Sequence, residues 1–244
     1  MPLVAAAVCP HPPLIVPEVA GDAAPELNGL RGACDDALVA LLAAGPDEII
    51  LVGGGPETTG FGAGASGTLW PYGVPLAISL GTTPGGGPSS GGPDLPLSLT
   101  IGAWLLNRTG TNLPRHAEAV TVDAPSSTCL RLGERLADRA GRRTALLVLG
   151  DGTARRDERA PGYHDPRALA YDEEVARALA DADTEALLGM DPGVSAELTV
   201  AGRAAWQVLA GAVRSTPGAW RGELRHHSAP YGVGYLVANW EPIR

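Results

Sequence analysis

The stretch Val8-Cys9-Pro10-His11-Pro12-Pro13 sets one imidazole among prolines directly after an apolar run. An imidazole is a metal ligand or a proton carrier near neutral pH, and flanking prolines restrict the backbone that presents it. None of the five histidines, His11, His116, His164, His226 and His227, falls in an HExxH, HxH or His-Cys pattern. A metal site would therefore have to be assembled from distant segments. A second chemical cluster, "GDGTARRDERAPGYHDPRA", follows the most continuous apolar run of the chain, and Asp151 and His164 are its candidate catalytic groups. Glu57, in "LVGGGPETTG", is a candidate ligand or base wherever that turn faces a cleft. Each has a plainer alternative: a loop-capping imidazole, a solvated carboxylate, and surface ion pairs worth little each.

Other chemistries find no support. GxxxxGK[ST] is absent, and no GxGxxG with a downstream acid follows in context, so the glycines after "IILV" read as a structural turn. No GxSxG elbow exists for a hydrolase triad. His226 and His227 are adjacent, and on a strand they point to opposite faces and cannot both serve one site.

The elements that must position these groups alternate between strand and helix. Leu3 to Val8 reads as a buried strand whose end delivers His11, and "DEIILVGGG" and "TALLVLGDG" as parallel-type strands ending in glycine turns. Helical spacing covers Pro25 to Ala44, Ser126 to Gly141, Pro166 to Ala180 and Leu198 to Val213. "PLSLTIGAWLLNRTG" reads as a strand running into a helix, and "AEAVTVDA" and "YGVGYLVANW" as strands. The pattern predicts an α/β fold: a single domain over 1–244 with a largely parallel or mixed central sheet flanked by helices. The Gly, Pro and Ser-rich stretches near 53–67 and 81–94 are expected to be loops, the second mobile.

With 244 residues, 45% apolar and 18% charged, the chain can bury a large core. A net charge of −9 without a basic run longer than two residues removes the footprint of nucleic-acid binding. Cys9, Cys34 and Cys129 are odd in number and widely spaced, which fits a reducing cytoplasm. The N-terminus lacks a basic signal-peptide region, and no apolar segment is long enough for a bilayer, so neither a leader nor a membrane is expected. Five tryptophans accompany a single Phe; most are expected in the core, and an exposed pair would mark an interface.

Four segments in order, "CPHPPLIVPEV", "IILVGGGP", "LGDGTARR" with "APGYHDPRALAYDEEVARAL", and "LTVAGRAAWQVLAGA" followed by "YGVGYLVANW", resemble class III extradiol ring-cleavage dioxygenases of the LigB-like type and their Memo-like relatives. The resemblance implies Fe2+ held by two histidines and a glutamate, with a further histidine as acid/base. It places His11 at the first ligand histidine. Gly55-Pro56-Glu57 stands where the second is expected, Ala154 ends the segment matching the acid/base histidine, and Ala201 stands where Memo-like proteins carry a ligand cysteine. Glu57 and Glu197 are the carboxylates left to complete a set with His11. The expectation is a divergent relative that has lost iron-dependent catechol cleavage and uses the inherited cleft for a small aromatic or polar ligand or a partner. A metal-dependent oxidoreductase with ligands rearranged around His11, and a structural or homo-oligomeric interaction subunit, are the alternatives.

Overall fold

A computed structural model describes residues 3–81, 92–138 and 142–243. Its elements, in chain order, are β1 (Leu3–Cys9), α1 (Pro17–Ala20), α2 (Asn28–Ala43), β2 (Glu48–Gly55), β3 (Thr59–Phe61), β4 (Ser66–Thr68), β5 (Ala77–Ser79), α3 (Leu97–Arg108), β6 (Arg115–Thr121), α4 (Ser126–Ala137), β7 (Thr144–Leu149), α5 (Arg167–Asp181), α6 (Thr184–Leu188), α7 (Pro192–Glu197), α8 (Arg203–Arg214), β8 (Trp220–Ser228) and β9 (Tyr235–Pro242). Seven strands form one sheet in the order β3-β6-β2-β7-β1-β9-β8. The central β6, β2, β7 and β1 are parallel, whereas β3, β9 and β8 run against their neighbours. The expected mixed α/β architecture is what the chain adopts.

Strands β1 and β7 are buried along their whole length, which is why they read as unbroken apolar runs. Helices α2 and α3 cover one face, contributing Leu38, Leu41, Leu99 and Leu105 to a core shared with Ile49, Leu51 and Leu147. Helices α4, α5 and α8 cover the other, where Leu132, Leu179, Trp206 and Leu209 meet Ile50, Val148 and Leu236. Trp206 and Trp240 are core anchors, as expected of most tryptophans, while Trp70 is 66% exposed.

Two expectations change. "PLSLTIG" contains no strand: α3 begins at Leu97. Apolar Leu97, Leu99, Ile101 and Ala103 alternate with Ser98, Thr100 and Gly102, a period of two that mimics a strand, while burial of all of residues 98–103 leaves no polar face to announce a helix. The stretch near 53–67 is not all loop, since β2 runs on to Gly55 and β3 and β4 follow within it. Most of the second expected loop, near 81–94, lies outside the described residues.

Asp165, ahead of α5, is paired with Arg167 at 2.8 Å, and that side chain's hydrogen bond first of all holds the carboxyl down to about 2. A depressed carboxylate pKa stabilises the fold above its unfolded value and loses that contribution as pH falls through the folded one. An NMR titration of the Asp165 carboxyl carbon should accordingly find its midpoint near 2, and in Arg167→Ala it should return toward about 3.9.

Candidate functional site

Register converts strand ends into a site. In the parallel pair β1–β7, Cys9 is opposite Leu149, so continuing two residues on each chain places His11 level with Asp151. In β2–β7, Gly53 is opposite Leu149, which brings Gly55 to the same level. Strand β9 is antiparallel to β1 with Ala6 opposite Trp240 and Val8 opposite Ala238, and the same register sets Tyr235 beside His11. The carboxyl ends of the parallel strands thus gather His11, Asp151, the β2 glycines and Tyr235, at the edge where open α/β sheets build binding crevices.

His11 is 9% exposed. Its backbone N–H donates to Asp151 Oδ1 at 2.7 Å, and its ring Nδ1 lies 3.6 Å from the same oxygen without a hydrogen-bond partner. Pro10 and Pro12 on either side are buried, and Pro12 C=O accepts from Ile15 N–H at 3.0 Å, so the prolines fix the loop that presents the ring. Asp151 is held through its backbone: its carbonyl accepts from Gly202 N–H at 2.8 Å, and neighbouring Gly150 donates to Cys9 C=O at 3.0 Å. Burial raises the Asp151 carboxyl, opposed by His11. Burial, followed by the charge of Asp151, also raises the Tyr235 hydroxyl.

The floor of this region admits only glycine at two places. A Cβ on Gly150 would stand 2.6 Å from Gly202 Cα, and one on Gly202 would stand 2.2 Å from the Trp206 ring. Trp206 is fully buried, and its indole N–H has no acceptor among the described residues.

A second buried carboxylate holds the loop in place. Asp172 on α5 is 0% exposed and accepts from Thr153 N–H (2.8 Å), Thr153 Oγ1 (2.9 Å) and Arg156 Nη1 (2.9 Å). A Cβ on Gly152 or Gly234 would come within 2.6 Å or 2.4 Å of its oxygens. The charged loop after β7 is therefore organised by an internal ion pair, and Arg156 supports the fold. Asp172 was absent from the expected site residues. Its signal in the sequence is position: with Ala168, Val175, Ala176 and Leu179 it lies on the buried stripe of α5, where an acid must have internal partners.

The other expected residues are dispersed. Glu57 is exposed in the turn beyond β2. Glu197 ends α7, and its carboxylate accepts from Arg167 at 2.7 Å with the Glu197 side chain 60% exposed. His164 is exposed on the turn before α5. His226 Nε2 bonds Ser228 Oγ at 2.7 Å on β8, and burial lowers its imidazole. Among the described residues no three His, Cys, Asp or Glu side chains come together so as to hold a metal ion. Of the expected candidates, His11 and Asp151 are the two brought into contact. They supply at most two donors, and Asp151 Oδ1 is already engaged by the His11 backbone, so the residues present do not fit the two-histidine, one-carboxylate set that Fe2+ requires.

No family model matches the chain, and no curated protein matches it. Among solved structures it is similar to the crystal structure of the uncharacterized protein JW3007 from Escherichia coli K12, with a TM-score of 0.57 and 13% identity over 98% of this chain and 99% of that one. The likeness concerns the fold. No helix among the described residues is long and apolar enough to cross a membrane.

Proposed function

We propose that this chain is a divergent relative of the LigB-like extradiol dioxygenases that does not cleave catechols through iron and uses the strand-end cleft to bind a small aromatic or polar molecule. The observation that carries the reading is the state of His11. The residue matching a first iron ligand is clamped by its backbone to Asp151, its ring Nδ1 is left without a hydrogen bond, and among the described residues no complementary ligand set converges on it. A buried polar atom without a partner costs about 1–3 kcal/mol, a cost that a bound ligand with a complementary group would remove.

Two experiments test the two halves. Protein reconstituted with Fe2+ and given catechol or protocatechuate in air should produce no yellow ring-opened product; turnover that is lost in His11→Ala would overturn the first half and favour a metalloenzyme with rearranged ligands. For the second half, the His11 ring Cε1–H resonance should move on titration with members of an aromatic and polar fragment library. Silence across the library would leave the cleft reading without support and turn attention to an interaction subunit, for which exposed Trp70 and Tyr72, in the "LWPYG" turn, are the observation in favour.

A further inference from the structure

Three carboxylates among the described residues are not treated alike. Asp172 has a guanidinium and two Thr153 donors. Glu48, 0% exposed at the start of β2, receives Thr144 Oγ1 at 3.0 Å and has Arg142 at 3.5 Å and His116 at 3.9 Å. Asp151, with 13% of its side chain exposed, has one donor, the His11 backbone N–H, and among the described residues its one ion-pair neighbour is the His11 ring. Among the described residues no arginine forms an ion pair with it, and its second oxygen has no donor. A carboxylate with most of its surface removed from water is costly unless a cation and hydrogen bonds compensate it.

Resting on the cleft reading above, we infer that the ligand of this site presents a protonated amine, received by the Asp151 carboxylate and His11 Nδ1 together. An ammonium has three donors and a positive charge, whereas a hydroxyl has one donor and no charge. The unpartnered Nδ1, on a residue nine-tenths buried, and Asp151 Oδ1 are 3.6 Å apart. One nitrogen about 2.8 Å from each can bridge that separation. The neutral ring accepts at Nδ1, and the carboxylate supplies the charge. Tyr235, 2% exposed, stands level with His11 in the β1–β9 register and belongs to the core shared with Cys9 and Leu149. An anionic ligand would meet the charge of Asp151 unscreened.

Three probes of similar size separate the charges: benzylamine, benzyl alcohol and benzoate, each titrated into the full chain while the His11 Cε1–H resonance and the melting temperature are followed. Benzylamine should move the resonance saturably and raise the melting temperature, with benzyl alcohol and benzoate at least about tenfold weaker. Asp151→Asn, checked for a native circular dichroism spectrum, should weaken benzylamine by about tenfold or more while leaving benzyl alcohol unchanged. Benzyl alcohol or benzoate binding as tightly as benzylamine, or benzylamine indifferent to Asp151→Asn, overturns the inference. Where the variant does not fold, the wild-type ranking of the three probes decides alone. If benzoate or the alcohol moves the His11 resonance and the amine does not, the amine assignment fails and the cleft reading stands. If neither these probes nor any member of the fragment library moves it, both fail.

Discussion

Asp172→Ala is expected to lower the unfolding free energy by about 3–5 kcal/mol, the usual cost of removing one partner of a buried ion pair. In a chain of this length that corresponds to a fall in melting temperature of roughly 6–20 °C. The size follows from what the substitution leaves behind. Arg156, whose side chain is 18% exposed, would keep its charge without a counter-ion, and the Thr153 N–H and hydroxyl, both buried, would lose their acceptor. Asp172→Asn retains an acceptor but turns an amide N–H₂ toward either Thr153 or Arg156, so it should fall between wild type and alanine. Because Thr153 and Arg156 belong to the loop that continues from Asp151, the same variants should also broaden the His11 ring resonance, linking the fold to the site through one carboxylate. An unfolding free energy from urea denaturation of Asp172→Ala within about 0.5 kcal/mol of wild type, at unchanged slope, would show that the loop does not depend on this pair.

How much of this was legible in the sequence depends on whether a residue's role is local. Strands β1, β2 and β7 announced themselves because burial on both faces demands continuous apolar runs, and the same rule put His11 and Asp151 at strand ends. That the two touch is a matter of register between strands far apart in sequence, His11 and Asp151 standing 140 positions apart, and no local pattern encodes it. The metal set built on His11, Glu57 and Glu197 came from matching positions to a resemblance. It had no means of seeing that Glu57 is exposed beyond the end of β2, or that Arg167 engages Glu197 at 2.7 Å. The antiparallel edge made of β8 and β9 was half visible: "YGVGYLVANW" is apolar, whereas β8 carries Arg221, Glu223 and Arg225 and reads as a polar segment until its partner is known. Asp172 and Gly133 mark the opposite case. Each stands on the apolar stripe of an amphipathic helix, where neither residue type belongs without a specific neighbour.

Gly133→Ala is the sharper test of that last point, because two effects of opposite sign compete. Replacing a mid-helix glycine with alanine favours the helix by about 1 kcal/mol when nothing opposes the methyl group. At Gly133, in α4, the added Cβ would stand 2.2 Å from Val208 C=O and 2.5 Å from Ala212 N of α8, backbone atoms that cannot rotate away. The contact is reciprocal, since a Cβ on Gly211 of α8 would lie 2.6 Å from Leu130 C=O of α4. Helices this close must separate to admit a methyl group, and overpacking of this kind costs about 1–3 kcal/mol or more. The steric cost should outweigh the propensity gain, so Gly133→Ala is expected to destabilise by about 2 kcal/mol net. Gly133→Val should cost more still. Gly211→Ala should behave likewise, and the double variant should lose less than the sum, because helices already parted by one methyl group admit the second. Gly32 supplies the control. It is exposed on α2 with nothing within 4 Å of its Cβ position, and Gly32→Ala should stabilise by about 0.5–1 kcal/mol. Chemical denaturation of the five variants settles the matter: a Gly133→Ala protein as stable as Gly32→Ala would mean that α4 and α8 are not in backbone contact, and that the core over that face of the sheet is packed less closely than described.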